Sequence, residues 1–345
     1  MAPRVAAPVG FGVGSAVSEL ASLDAAGRAA LGRFGIESDA RLDLLSYSEN
    51  AVYLVTRADG SHLVMRVHRT GYHTPNGVRS ELAWMTALQR DAGVQTPQAI
   101  PGLDSEQLQL VQVDSATEPR MVVLFDFIPG VEPEVEDTVE AFHELGAISA
   151  RMHDHARSWV RPAYFERQVW DYEHSFGVVG EPNWGRWQDG FGAHCSGMDT
   201  VERADELMRS RLEAFGKSRD RYGLIHSDLR HANLLIENGE TKVLDFDDMG
   251  IGWYVYDVAS SVTFHENHPD VERMIEAWIR GYRTVGDLSA AEIAEIPTFM
   301  MLRRLIIMGW AGSHAETELA REMGDAYTDG TVEFARTYLA KAGAP

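Results

Sequence analysis

Leu224-Ile225-His226-Ser227-Asp228-Leu229-Arg230-His231-Ala232-Asn233-Leu234-Leu235-Ile236 and, shortly after, Lys242-Val243-Leu244-Asp245-Phe246-Asp247-Asp248 decide how this chain folds. An apolar pair leads into a polar loop of the pattern His-x-Asp-x-x-x-x-Asn. An apolar run then reaches Asn238-Gly239, a dipeptide that favours a two-residue hairpin turn, and a second apolar run ends on Asp245. Such a hairpin brings Asp228, Asn233 and Asp245 to one mouth. A carboxylate free of metal, an amide and a metal-seeking carboxylate are the parts that phosphoryl transfer needs. Asp228 would orient and deprotonate an alcohol. The Asn233 amide oxygen and the Asp245 carboxylate would hold Mg²⁺ on a nucleotide phosphate.

Composition sets the bounds. The 345 residues are enough for two lobes, and a hydrophobic content of 45% fits a sizeable core. A formal net charge of −21 argues against nucleic acid and against anionic membrane surfaces, and it would steer a cationic substrate inward. Cys195 has no second cysteine to pair with. There is no uninterrupted apolar run of membrane-spanning length. Met1 to Gly14, broken by Pro3, Pro8 and three glycines, lacks a clear signal-peptide pattern. A soluble cytoplasmic protein is therefore the expectation, and oligomeric state is not legible. Only Lys217, Lys242 and Lys341 are lysines; the other basic residues are arginines.

Working outward, apolar spacing at Leu20, Leu23, Ala26, Ala30 and Phe34 predicts a helix over 15–34. Leu42 to Ser46, Ala51 to Thr56 and Leu63 to Val67 read as strands, with Asp59-Gly60 as the turn between the last two. Thr74 to Asp91 reads as a helix, and Leu108 to Val113 and Met121 to Phe127 as two further strands. The result is a five-stranded antiparallel sheet with one helix inserted after its third strand. Ile128-Pro129-Gly130 ends this lobe, and helices are expected over 135–157, 201–216, 256–264, 269–285, 289–310 and 316–340. The organisation expected is α+β and bilobal: an N-terminal helical extension (1–35), a sheet lobe (36–127), a hinge (128–132) and a helical lobe (133–345). Residues 159–200, rich in tryptophan, read as an insertion that either packs locally or walls the acceptor pocket. Met300, Met301, Leu305, Met308 and Trp310 read as a core stripe. His153-Asp154-His155 lies on a helix, where residues two apart diverge, so it makes a poor metal site.

His226-x-Asp228-x-x-x-x-Asn233 with Asp245-Phe246-Asp247 resembles the aminoglycoside phosphotransferase family. Its superfamily takes in choline kinases, type II homoserine kinases and fructosamine kinases, and is related to the protein kinases. Tyr256-Asp257-Val258-Ala259 is similar to the family's Tyr-Asp-Leu-Ala element, and Val123 to Gly130 to its hinge. The resemblance runs from about Leu42 to the last helices. It implies a protein-kinase-like fold, ATP and Mg²⁺ as cofactors, and an alcohol on a small molecule as acceptor.

The resemblance also implies roles. Asp228 would be the base and Asn233 and Asp245 the metal ligands, with Asp247 near metal or acceptor. His226 would pack beneath the loop, and Asp257 would bond loop backbone or cap the following helix. Arg230 would stabilise charge on the transferred phosphoryl group. Arg66 stands where the family carries a phosphate-pairing lysine, with Glu81 as its partner. Ser48 and Asn50 are phosphate candidates in a short turn without the Gly-rich loop, and backbone at Phe127 and Ile128 would bond adenine.

The acceptor is expected against the helical lobe, with Asp248, Trp253, Tyr254, His265 and Glu266 as candidate walls. Aromatic rings beside carboxylates suit an ammonium group, so an amino sugar, amino alcohol or amino acid alcohol would fit. Two alternatives stay open: a protein serine/threonine kinase, and a nucleotide-binding regulator impaired by the missing lysine. The short link between Asp245 and Tyr256 leaves little room for an activation segment and disfavours the first.

Overall fold

In the small lobe, alternating apolar residues build strands that bury one face and leave the other to the cleft. The computed structural model describes residues 15–47, 50–113, 118–132, 138–191, 196–315 and 317–343. Strands β1 (Arg41–Tyr47), β2 (Asn50–Thr56), β3 (His62–His68), β4 (Ala99–Ile100), β5 (Leu108–Val111) and β6 (Arg120–Asp126) form one sheet. Its order is β1-β2-β3-β6-β4, with β5 also paired to β6. The sequence reading had five strands. The sixth, β4, is two residues opposite Phe125 and Leu124, too short to carry a period of two.

Helix α1 (Ser15–Leu31) lies across the outer face. Its Leu23, Ala26 and Ala30 pack with Ala51, Tyr53, Val55, Met65, Val67, Val122 and Leu124 in one buried cluster. The segment read as an extension is thus the covering layer of this lobe. Met65 and Val67 point to α1, so alternation turns Arg66 towards the cleft. Helix α2 (Pro75–Ala87) follows β3, capped by Thr74, which accepts from the Gly77 N–H.

The hinge meets the helical lobe at close quarters. Val131 pairs with Ile236, and a Cβ on Gly130 would lie 3.2 Å from the Ile236 carbonyl oxygen. Beyond it come α3 (Thr138–Ser158), α4 (Tyr172–Ser175), α5 (Met198–Phe215), β7 (Tyr222–Ile225), β8 (Leu234–Glu237), β9 (Glu240–Val243), β10 (Gly250–Trp253), α6 (Tyr256–Ser261), α7 (Val271–Tyr282), α8 (Ala290–Ser313) and α9 (Glu318–Gly343). The expected hairpin is β8–β9, and Asn238 and Gly239 turn it with φ of 53° and 82°. The stripe on α8 is buried as expected. The insertion is irregular but packed: Trp170, Trp184 and Trp187 are buried in the main core. Among the described residues no helix is long and apolar enough to cross a membrane.

Helices α3 and α7 approach through glycines. A Cβ on Gly146 would sit 2.0 Å from the Trp278 oxygen, and one on Gly281 1.8 Å from the His143 oxygen. Any side chain there must push the helices apart. Overpacking of this kind costs about 1–3 kcal/mol, so Gly281→Ala should lower the melting temperature by several degrees in a thermal scan. An unchanged midpoint would refute the close contact.

Candidate active site

The loop between β7 and β8 is held from beneath. His226 is fully buried; its Nδ1 accepts the Asp228 N–H at 3.4 Å and its Nε2 donates to the Leu244 carbonyl at 3.1 Å. Burial keeps this imidazole below its usual range, against the opposite pull of Asp257. It is therefore neutral, and its partners fix the tautomer. Ser227 adopts a left-handed φ of 66°, costly for a residue with a Cβ. Asp257 compensates. Its carboxylate accepts the N–H groups of Ser227 at 2.9 Å and His226 at 3.2 Å. His153 on α3, held by the Tyr282 hydroxyl at 3.1 Å, donates to the same carboxylate at 2.9 Å.

Asp228 is buried among donors. Asn233 Nδ2 donates to its Oδ2 at 3.0 Å and to its carbonyl at 2.8 Å, and Arg230 Nε lies 3.2 Å away. Arg303 Nη2 donates to Oδ1. Burial pushes this carboxyl up, but Arg230 and Arg303 outweigh it and hold the group below the ordinary carboxylate range. Asp228 is ionised at neutral pH.

The Leu244 N–H bonds the Asn233 carbonyl at 2.8 Å, which brings Asp245 to the same mouth. Asp245 also has a left-handed φ, 58°. Enclosure on the cleft floor and the nearby Asp247 push its carboxyl up to about 7, with Arg66 opposing and Asp228 and Glu81 adding to the rise. Its open side, facing cleft solvent, tempers that push. Asn233, Asp245, Asp247 and Asp248 line a cavity of about 360 Å³ between the lobes, together with Asn50, Arg66, Glu81, Phe127 and Ile128.

On the opposite wall Arg66 Nη2 donates to both Glu81 oxygens at 2.7 Å, and both residues are buried. The arginine thus occupies the position read for it. Asp247 faces inward to this wall. It accepts from Asn50 Nδ2 at 2.8 Å, and its Oδ1 lies 3.3 Å from His73 Nε2 and 3.8 Å from Arg66 Nη1. Although burial opposes it, His73, Arg66 and His68 hold this carboxyl well below its usual range. Asn50, read as a phosphate candidate, lines the cavity with its amide nitrogen on Asp247. Ser48 lies outside the described residues.

The acceptor wall differs from the reading. Trp253 is buried, with its indole donating to the Gly216 carbonyl at 2.7 Å. Tyr254 is buried against His153, with the Arg157 guanidinium 4.6 Å from its ring centre. Both belong to the helical core, because β10 pairs with β7 and turns them away from the cleft. His265 is half-buried beside His268. Glu266 is buried and ion-paired to Arg304 at 3.1 Å, while its Oε1 has no hydrogen-bond partner. It lines a second cavity of about 370 Å³ with Phe264, Asn267, Arg304 and Tyr327. The Phe264 ring carries the Arg230 guanidinium at 5.7 Å, so this hollow adjoins Asp228.

Comparison with known proteins decides the family. The model of the phosphotransferase enzyme family (APH) matches residues 43–293. The chain belongs to this family. It is 26% identical over 295 residues to amicoumacin kinase of Bacillus subtilis (strain 168), covering 81% of this chain and 82% of that one. A solved microcompartment-associated aminopropanol kinase is 40% identical, with a TM-score of 0.84 over 92% of this chain and 98% of that one. Amicoumacin kinase hAmiN, solved with AMP-PNP, Ca²⁺ and Ami, is 22% identical and shares the fold, with a TM-score of 0.72 over 96% of this chain and 94% of that one. The protein is a phosphotransferase enzyme.

Several residues of this phosphotransferase escaped sequence reasoning. Arg303, beside Arg304, interrupts the apolar stripe of α8; two charges inside a buried helix signal buried partners. Arg167 in the insertion donates to carbonyls of Met249 at 2.7 Å, Gly77 at 3.1 Å and Asp247, clamping the segment after Asp245. Trp184 donates to the Tyr72 hydroxyl at 2.7 Å, and Tyr72 donates to Asp248 at 2.5 Å, joining the insertion and the small lobe across the cleft. No local pattern marks these.

Asp257 generates a test. Asp257→Ala leaves two buried backbone N–H groups without an acceptor, each worth about 1–3 kcal/mol. The variant should melt several degrees lower and turn over more than tenfold more slowly. Wild-type melting and turnover would show that the loop keeps its shape unaided.

Proposed function

We propose that the protein is an ATP-dependent kinase that moves the γ-phosphoryl group to a hydroxyl of a small amine-bearing alcohol. The observation that carries this reading is that Asn233, bonded to Asp228, and Asp245 line the cavity that Arg66 and Glu81 wall from the other side. Asp228 is ionised and takes the proton of the acceptor hydroxyl. Arg303 stays fixed on one of its oxygens. Arg230, half-buried, leaves the other to meet the charge that develops on the transferred group. Arg66, braced by Glu81, pairs with nucleotide phosphate. Backbone at Phe127 and Ile128 meets the adenine.

The residues fit a divalent cation. Asp245 is crowded by other carboxylates, whose repulsion a cation would relieve. Asn233 spends its amide nitrogen on Asp228, which leaves its oxygen as a ligand. Mg²⁺, when bound, supplies charge neutralisation on the phosphates. Asp247 is set back among Asn50, Arg66 and His73, and acts on that wall rather than on the cation.

The acceptor lies on the helical side of Asp228, where Glu266 Oε1 and the Tyr327 hydroxyl lack partners beside the Phe264 ring. A carboxylate oxygen among aromatic rings suits an ammonium group. The names of the relatives agree: one is an aminopropanol kinase. A peptide acceptor is disfavoured, because β10 fills the span between Asp245 and Tyr256 where a docking segment would lie.

A panel of amino alcohols, amino sugars and neutral polyols should yield turnover only with the amines, and Asp228→Asn should lower kcat by about 10²- to 10⁴-fold with nucleotide affinity nearly unchanged. Preference for neutral acceptors, or full turnover without the carboxylate, would sink the reading. Metal binding should also follow pH. Asp245 is pushed above the ordinary carboxylate range, so protons compete with the cation on the acid side and Mg²⁺ affinity should rise from pH 5 to pH 8. Calorimetry in buffers of different ionisation enthalpy should detect proton release in the wild type and not in Asp245→Asn.

A further inference from the structure

Arg303 stands in the middle of α8 and is 2% exposed. Nothing in the apolar pattern of that helix calls for a charge. The guanidinium spends all three nitrogens on groups around the catalytic loop. Nε donates to Thr263 Oγ1 at 3.0 Å, Nη1 to the Ser227 carbonyl at 3.3 Å and to the Tyr256 hydroxyl at 3.4 Å, and Nη2 to Asp228 Oδ1. The Trp184 ring, 5.5 Å from the guanidinium carbon, lies against it.

Two arginines therefore meet Asp228, and they are not equivalent. The Arg230 side chain is 28% exposed and its Nε reaches either carboxylate oxygen at 3.2 Å. It is free to turn away when a phosphate competes. Arg303 has no such freedom: its fork is bonded to α6, to the loop after α6 and to Ser227 as well as to Asp228. A buried planar fork with several fixed acceptors holds one geometry. Ser227 is the residue with the left-handed φ, so the brace also fixes the strained link that aims Asp228.

We propose that Arg303 is a positioning residue: it locks Asp228 Oδ1 and thereby presents Oδ2 to the acceptor hydroxyl. This rests on the reading of Asp228 as the base. A misplaced base costs on the order of 10²-fold in rate, whereas a merely structural ion pair would cost stability alone. The two roles separate in a double-mutant cycle, because residues that act as one unit are grossly non-additive.

The test compares wild type, Arg303→Met, Arg303→Lys, Asp228→Asn and the double variant Asp228→Asn/Arg303→Met, with aminopropanol as acceptor. Turnover is normalised to sites that bind Mg-AMP-PNP by calorimetry. Arg303→Met should lower kcat by about 10²-fold with the KM for ATP within about twofold. The double variant should be no slower than Asp228→Asn alone. Arg303→Lys, which keeps charge without the fork, should recover part of the rate. If Arg303→Met does not fold, the lysine variant decides, through a fall in kcat at unchanged KM for ATP. Wild-type kcat in a folded, nucleotide-binding Arg303 variant, or additive losses in the double variant, would overturn the proposal. Should Asp228→Asn itself keep full turnover, the base assignment fails instead, so the two failures are distinguishable.

Discussion

The Asp257 carboxylate carries the loop between β7 and β8. It is wholly buried, and a buried charge survives only with donors around it. Two of those donors are consecutive backbone N–H groups, of His226 and Ser227; a third is His153 on α3. Ser227 can keep a left-handed backbone because its neighbours over-determine it: Asp257 below, Arg303 at its carbonyl, and the Asp248 carbonyl accepting from its hydroxyl at 2.5 Å. The close glycine contacts of α3 with α7 bring His153 and Tyr282 within reach of each other. Packing in the helical lobe thus sets the aim of a carboxylate in the cleft.

Charge in the cleft comes as braced alternation. Asp228 has one fixed and one loosely held arginine, and Arg66 has Glu81 in front and Asp247 behind. Arginine suits this small lobe because its several donors can serve a carboxylate on α2 and still face the cleft, which a lysine's single nitrogen does less well. Asp247, two residues after Asp245, turns to the other wall and joins the sheet through Asn50. Asp245 is left facing the cleft, with burial, Asp247, Asp228 and Glu81 pushing its carboxyl up. The contact Trp184–Tyr72–Asp248 ties both lobes across the same opening.

Much of this was legible along the chain. The hairpin with its Asn-Gly turn and the placement of Arg66 opposite Met65 and Val67 follow from periodicity and spacing, which are local properties; Glu81 as its partner is what the family resemblance implies. The motif pair carried the family. The readings of Trp253 and Tyr254 failed for a specific reason: they follow Asp245 closely in sequence, but pairing of β10 with β7 rotates them into the core. The insertion shows its tryptophans in the sequence; that its Arg167 clamps three carbonyls depends on contacts between residues 80 or more apart.

The sequence by itself determined which chemical groups meet. Alternation, turn residues and motif spacing act over a few residues and bring Asp228, Asn233 and Asp245 to one mouth. Tertiary structure alone decided how each carboxylate is held. Asp228 is gripped by an arginine 75 residues further along the chain, and Asp257 by a histidine 104 residues earlier. Such partners are chosen by helix packing and by the cost of burying an uncompensated charge, and neither leaves a local pattern to read.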